Sequence, residues 1–381
     1  MIYLDHNATT CLYPAVLDAM RPYFEGRFGN PASVHAAGRD ARRAVEEGRH
    51  RVLALFHRQP GDLVFTGSGT EAVLLGMVGA WRGLRSRGGR VVVSSVEHRS
   101  GIDAAHMLES EGARVSWVGP DERGSIDPDR VAELLGDDTA LVCVQHANNE
   151  TGVIHPLPEI GARTRAAGAR LFVDAVQSAG KIALDPENWS ADYVAVAAHK
   201  LGGPKGVGAL WRRERSPLIP FTPGTAERGL RGGTLNVPAI VGFGVAAKVA
   251  VEHLGEQSAS LSALRDAFEA RVLRTVPSAA VTGSGAERLP NTTHLTFDPE
   301  VGSDLVIALD QKGYAVSAGS ACTSGSESPS HVLLAMGMNA DRARTAVRVS
   351  LGRESTREEL DGLVSALQAI IEERHTTMGR S

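Results

Sequence analysis

Ala198-His199-Lys200-Leu201-Gly202-Gly203-Pro204-Lys205-Gly206 decides the reading of this chain. It follows the apolar run Tyr193–Ala197, which lacks polar alternation and so reads as a strand covered on both faces. The run ends in a histidine, a lysine and a glycine-rich bend. A lysine drawn from a strand end into a site has a lowered pKa and becomes an amine nucleophile for a carbonyl. An exposed strand-end lysine would carry the same local sequence, so the stretch has to be weighed with its neighbours.

Upstream, Asp174-Ala175-Val176-Gln177-Ser178-Ala179-Gly180 follows the strand-like run Arg170–Asp174. Asp174 falls at the C-terminal end of its strand, which faces the ligand crevice in open α/β sheets. A carboxylate there is costly unless it meets a cation or donors; a helix N-cap aspartate is the plainer alternative. Further upstream, Gly67-Ser68-Gly69-Thr70-Glu71-Ala72 stands between a strand-like stretch, 63–66, and a helical pattern. Its glycines allow backbone N–H groups to approach an anion at a helix N-terminus, and Thr70 offers a hydroxyl. It matches neither the Rossmann nor the P-loop pattern, and a ligand-free β–α turn would look the same. The order of the three stretches separates these alternatives. A phosphate needs an anchor, a protonated pyridine nitrogen needs an anion and an aldehyde needs an amine, which together are the requirements of pyridoxal 5'-phosphate.

Residues 90–96, Arg114–Val118 and 140–145 read as further buried strands. Helical patterns occupy 40–55 and 156–167, and Asp127-Pro128 opens another with an N-cap residue and a first-turn proline. Alternating strand and helix predicts an α/β domain built on a mostly parallel sheet. After a long helical region over 239–272 the pattern changes: strand-like 292–297, helix 303–312, strand-like 315–317 and 346–350, and helix 358–373. This predicts a large domain over 13–255 and a small α+β domain formed by 1–12 with 256–381.

The 381 residues are 43% hydrophobic and 22% charged with a net charge of −4, the balance of an ordinary soluble globular protein. No basic stripe points to a nucleic-acid or membrane partner. There is no secretory n-region and h-region at the N-terminus, and no apolar run approaches the length of a membrane span. The three cysteines, Cys11, Cys143 and Cys322, are too few and isolated for a disulfide framework and fit a reducing cytoplasm. Cys143 sits in an apolar strand and reads as core, whereas Cys11 has no assigned role. Cys322, in Ser317-Ala318-Gly319-Ser320-Ala321-Cys322-Thr323-Ser324-Gly325, is flanked by small residues that suit a loop entering a site. No set of metal ligands is expected.

The chain resembles a class V aminotransferase-fold enzyme of the NifS/IscS cysteine desulfurase type. The resemblance rests on LDHNATT (4–10), GNPASVHAAGRDA (29–41), VEHRS (96–100), HANNETGV (146–153), DAVQSAGK (174–181), AHKLGGPKG (198–206), ERGLRGGT (227–234), SAGSACTSG (317–325) and VRVSLGR (347–353). It implies a fold type I PLP-dependent transferase, a homodimer acting on L-cysteine and a sulfur-acceptor protein, as in iron–sulfur cluster assembly. By the same resemblance, Lys200 would carry the cofactor, Asp174 would pair with its ring nitrogen, and Gln177 and Asn149 would lie near its phenolic oxygen. His98 would stack on the ring and move protons. Gly69, Thr70 and His199 would hold the phosphate, and Thr234 would reach it across the dimer. Arg348 would clamp the substrate carboxylate with Asn30, His35 and Asn149 nearby, and Cys322 would take the sulfur. The chain departs from the family at Ala197, where many relatives carry serine, at Ala72-Val73-Leu74 after the phosphate turn, and at Thr225-Ala226. A PLP aminotransferase or β-lyase of the same fold, or a non-catalytic scaffold, is the alternative reading.

Overall fold

The computed structural model describes residues 1–57, 61–318 and 328–378. Its strands in chain order are β1 (Ile2–Tyr3), β2 (Asp62–Thr66), β3 (Arg90–Ser94), β4 (Arg114–Val118), β5 (Thr139–Cys143), β6 (Arg170–Asp174), β7 (Tyr193–Ala197), β8 (Gly208–Arg212), β9 (Ala280–Val281), β10 (Thr292–Thr296), β11 (Tyr314–Ala315) and β12 (Val347–Ser350). Seven of them form one sheet in the order β2-β8-β7-β6-β5-β3-β4. β8 runs antiparallel to both neighbours, and every other pairing in this sheet is parallel.

The central strands are apolar on both faces because both faces are covered. Val92, Val142, Leu171, Val173, Val194 and Val196 point into one core, while Val91, Val93, Leu141, Cys143, Phe172 and Ala195 point into another. Side chains still alternate with period two, but polarity does not. The expectation of a buried strand over Arg114–Val118 is corrected: β4 is the sheet edge, paired only with β3, and Trp117 is 37% exposed. The helix expected over 40–55 begins earlier, at Ala36, because the ring of His35 accepts the Gly38 N–H (3.3 Å) and caps it.

β10, flanked by β12 and β9, forms a three-stranded antiparallel sheet. Its inner face shares a third core with Leu4 and with Leu360, Leu363 and Leu367 of the helix Arg357–Met378. β1 pairs with β11, and Asp5 bridges to Ser350, so the chain start is sewn to this second unit. The helix Val237–Thr275 runs unbroken between the cores, with Ile240 and Phe243 in one and Phe268 and Val272 in the other. By length and composition alone it could cross a membrane, which the apolar runs did not suggest; half of its most apolar stretch is buried inside the protein.

One buried ion pair anchors the loop before that helix. Glu227 accepts from Arg49 through both oxygens (2.8 and 2.9 Å) and from the Phe65 N–H (2.7 Å). The glutamate side chain is 1% exposed and its φ is +48°, a left-handed backbone that this contact holds in place. Removing the Glu227 carboxylate leaves buried Arg49 with the half-exposed Glu46 (3.2 Å) in place of a buried bidentate partner. Glu227→Gln is therefore expected to lower stability by about 3 kcal/mol in denaturant unfolding; a loss within the range of an ordinary surface substitution would contradict this.

Candidate active site

Three parallel strands deliver the key groups to one end of the sheet. β2 leads into the turn at Gly67, where Ser68 Oγ accepts the Glu71 N–H (3.1 Å) and starts the helix Gly69–Leu74. A Cβ at Gly69 would stand 3.1 Å from side-chain atoms of both Ala197 and Val176, so glycine lets the turn close on the ends of β6 and β7. Thr70 is exposed there, and Ala197 brings no hydroxyl. Glu71 folds back onto the Gly67 N–H (2.6 Å) and pairs with Arg231 (2.9 Å).

β6 ends in Asp174, buried and accepting the Val176 N–H (2.9 Å). Burial pushes its carboxyl up to about 6 against the pull of that N–H and of Lys200. β7 runs into the short turn Ala198–Lys200, from which Lys200 Nζ donates to the carbonyls of Asn7 and Ala8, the latter at 2.9 Å. His199 Nδ1 lies 3.2 Å from Thr9 Oγ1. LDHNATT thus forms the wall opposite the lysine. His98 caps the helix Arg99–Ser110 through Nδ1, which accepts the Ser100 N–H (3.1 Å). Burial, helped by the charge of Lys200, lowers its pKa to about 4. Fully buried Arg348 donates to Asn149 O (3.0 Å) and Asp5 Oδ1 (2.7 Å), bringing β12 to the same crevice.

Gln177, Asn149, Lys200 and Arg348 are therefore linked through Asn7 and Asn149 O, His98 lies within the electrostatic reach of Lys200, and Asp174, His199 and the Gly69 turn with Thr70 stand at the neighbouring ends of β6, β7 and β2. Asn30, His35 and Thr234 are not part of this set. All three are exposed. Asn30 and Thr234 line a hollow of about 600 Å³ with Arg49, Thr225, Ala226 and Glu227, and neither Lys200 nor Asp174 borders it. Cys322 lies outside the described residues. Cys143 is buried in β5 and Cys11 is exposed.

Four residues with no role read from the sequence are prominent here. Asp5 holds Arg348. Glu97 is fully buried, takes the Gln145 N–H (2.7 Å), and burial raises its pKa well above the usual value. Asn7 and Lys181 are tied to Gln177 and to each other. Their signal was present as polar residues within matched motifs, but sequence spacing does not reveal contacts between distant segments.

The site predicts acid lability. Burial lowers the pKa of His98, His155 and His199 to about 4 and of His146 and His294 to about 3, and it also lowers that of His6. A histidine buried as the neutral ring contributes stability above its unfolded value near 6.5, lost as pH falls towards the folded value. Asp174, Glu97 and Glu150, raised by burial, act oppositely, and their contribution is lost as pH rises through their values. The histidines outnumber the carboxyls, so the unfolding midpoint of the cofactor-free protein is expected to drop between about pH 6.5 and 4. A midpoint that is flat or rises on acidification would contradict it.

Residues 2–363 match the aminotransferase class-V family, and the chain belongs to it. This is a family of PLP-dependent enzymes. Within it the chain groups with the cysteine desulfurases. It is 44% identical to a cysteine desulfurase IscS of Anaeromyxobacter sp. (strain Fw109-5), covering 95% of this chain and 90% of that one. A solved NifS-like protein superposes with a TM-score of 0.90 at 32% identity, covering 98% and 99% of the two chains. A structure of SspA in complex with cysteine superposes with a TM-score of 0.81 at 31% identity, covering 93% and 100%.

Proposed function

We propose that this protein is a PLP-dependent cysteine desulfurase that converts L-cysteine to L-alanine and passes the sulfur through Cys322 to an acceptor thiol. The observation that carries this reading is that Lys200 and Asp174 stand at adjacent strand ends, with Arg348 linked to Lys200 through Asn149 and Asn7.

The residues present fit the cofactor. Asp174 is a buried carboxyl with one backbone donor among the described residues, a poor arrangement for an anion unless a cation joins it. A protonated pyridine nitrogen is such a cation. The N–H groups at Gly69 and Thr70, the Thr70 hydroxyl and His199 suit a phosphate. Gln177 and Asn149 would face the phenolic oxygen, and His98 the ring. When bound, the cofactor supplies an electron sink for charge developing at the substrate Cα. The protein does the rest. Arg348 orients the substrate through its carboxylate, Lys200 moves the proton at Cα, and Asp174 keeps the ring nitrogen protonated. The Cys322 thiolate attacks the cysteine sulfur as the Cβ–S bond breaks; the carbon keeps the electron pair and takes a proton, leaving alanine and a persulfide on Cys322. Exchange with an acceptor thiol on a partner protein follows.

The hollow holding Asn30 and Thr234 supports a homodimer in which these residues and His35 serve the partner's crevice. Phe24, Phe28 and Val34, at 65%, 80% and 83% exposed, supply an apolar surface on the same segment. The separate cores support domains of 13–255 and of 1–12 with 256–381, and the isolated thiols support a cytoplasmic location. The test is to incubate the cofactor-loaded protein with L-cysteine and a reducing thiol. Alanine and sulfide are expected in equal amounts; pyruvate in place of alanine, or no turnover, would overturn the reading.

A further inference from the structure

Lys181 is a buried lysine that the reaction above does not use. It lies four positions after Gln177, on the helical turn that follows Asp174, so the two side chains meet on one face. Its Nζ donates to Gln177 Oε1 (2.9 Å) and to Asn7 Oδ1 (3.0 Å). No carboxylate lies within ion-pair distance of it among the described residues, so its contacts are hydrogen bonds to two neutral amides. Burial, with Lys200 and Arg348 close by, pushes its pKa well below the usual lysine value.

The acceptors it chooses carry the argument. With Gln177 Oε1 engaged by Lys181, the amide nitrogen must face the other way, and it donates to the Asn7 carbonyl (2.9 Å). That carbonyl is also an acceptor for Lys200 Nζ. Asn7 is itself fixed from every side. Its Oδ1 takes Asn291 Nδ2 (3.2 Å) besides Lys181, and its Nδ2 donates to Thr292 Oγ1 (2.9 Å) and Asn149 O (3.2 Å). Its N–H donates to Ser350 Oγ (2.9 Å). Rotating the Gln177 amide by half a turn would set its oxygen against the Asn7 carbonyl and its NH₂ against the lysine. Both contacts are repulsive, so one orientation survives.

We propose that Lys181 is a positioning residue that, through Asn7 and Gln177, presents the Gln177 NH₂ group to the phenolic oxygen of the cofactor and so tunes how tightly and in what electronic state Lys200 holds it. The proposal rests on the reading that Gln177 faces that oxygen. On this reading the lysine acts by denying Gln177 its other orientation.

The test is a double-mutant cycle on the full chain using Lys181→Met, which keeps the length and removes the donor, and Gln177→Ala. The readouts are the dissociation constant for pyridoxal phosphate and the visible absorbance band of the loaded protein, neither of which requires turnover. Each single variant is expected to bind about tenfold more weakly, the cost of one lost hydrogen bond to a charged or polarised partner, and to shift the band. The double variant is expected to match Gln177→Ala within about twofold, since the effects share one path. Wild-type binding and band in Lys181→Met, or effects that multiply in the double variant, would overturn the proposal. Should Lys181→Met fail to fold, Lys181→Gln, which keeps a shorter donor, is expected to fold and bind between wild type and Gln177→Ala; wild-type binding and band there would overturn it equally. A Gln177→Ala protein with unchanged band and affinity would instead remove the underlying reading, and the proposal with it.

Discussion

The Lys200→Ala protein is expected to fold normally yet turn over L-cysteine at least about 10³-fold more slowly, the range associated with losing a positioned acid–base group. Two losses combine. The amine that anchors the cofactor is gone, so pyridoxal phosphate should leave on gel filtration while the wild type retains it. The group that moves the proton at the substrate Cα is gone as well. Folding should survive because Lys200 sits at the crevice edge and its Nζ donates to backbone carbonyls, of which Asn7 O keeps the Gln177 donor. A lost hydrogen bond of this kind costs about 1 kcal/mol. Neighbouring lysines offer no substitute: Lys181 is held by Gln177 and Asn7, and Lys205 is exposed on the bend beyond the site. The measurements are alanine release, cofactor retention and the unfolding midpoint. A variant that keeps its cofactor covalently and its activity would show that another amine does this work and would refute the assignment of Lys200.

How much of this was legible in the sequence depended on range. Arg114–Val118, Arg170–Asp174 and Tyr193–Ala197 were bounded correctly because apolar runs end where strands do, and Asp127 caps its helix by accepting the Asp129 N–H (2.8 Å). That β4 is an edge was not legible, since an apolar run does not say how many neighbours its strand has. β8 was missed because Gly208–Arg212 emerges directly from the glycine bend and only its antiparallel register with β2 and β7 makes it a strand. The crevice shows the same divide. Asp174, Lys200 and Gly69 stand in local motifs whose chemistry can be read residue by residue. Asn7 takes its meaning from partners 142 to 343 positions away, contacts that tertiary folding alone creates. Its hydrogen bonds join Gln177 to the β10–β12 sheet, so the segment 1–12, assigned from the sequence to the small unit, also reaches the groups around Lys200.

Cys322→Ser is expected to separate binding from sulfur abstraction. Serine preserves size, but its hydroxyl is not ionised near neutral pH and does not attack sulfur, whereas the cysteine reacts as a thiolate. Lys200, Asp174 and Arg348 are unchanged, so the variant should bind pyridoxal phosphate normally and still alter its absorbance when L-cysteine is added. Alanine formation should fall by at least about 10³-fold, as for loss of an essential nucleophile, and no sulfur adduct should appear in the mass of the protein. An aminotransferase or β-lyase on this scaffold would tolerate the change, because neither needs a protein thiol. Of the other cysteines, Cys143 is poorly placed to compensate. Cys143 is fully buried in β5, and burial, with Glu97 nearby, drives its thiol well above the usual value and away from the reactive thiolate. Cys11 is exposed and borders a hollow shared with Lys200 and Lys181. Under the Cys322 assignment, Cys11→Ser should nevertheless turn over L-cysteine like the wild type. If Cys322→Ser instead kept alanine production, or the adduct moved to Cys11, the protein would remain a PLP enzyme of this family but not one that takes sulfur through Cys322.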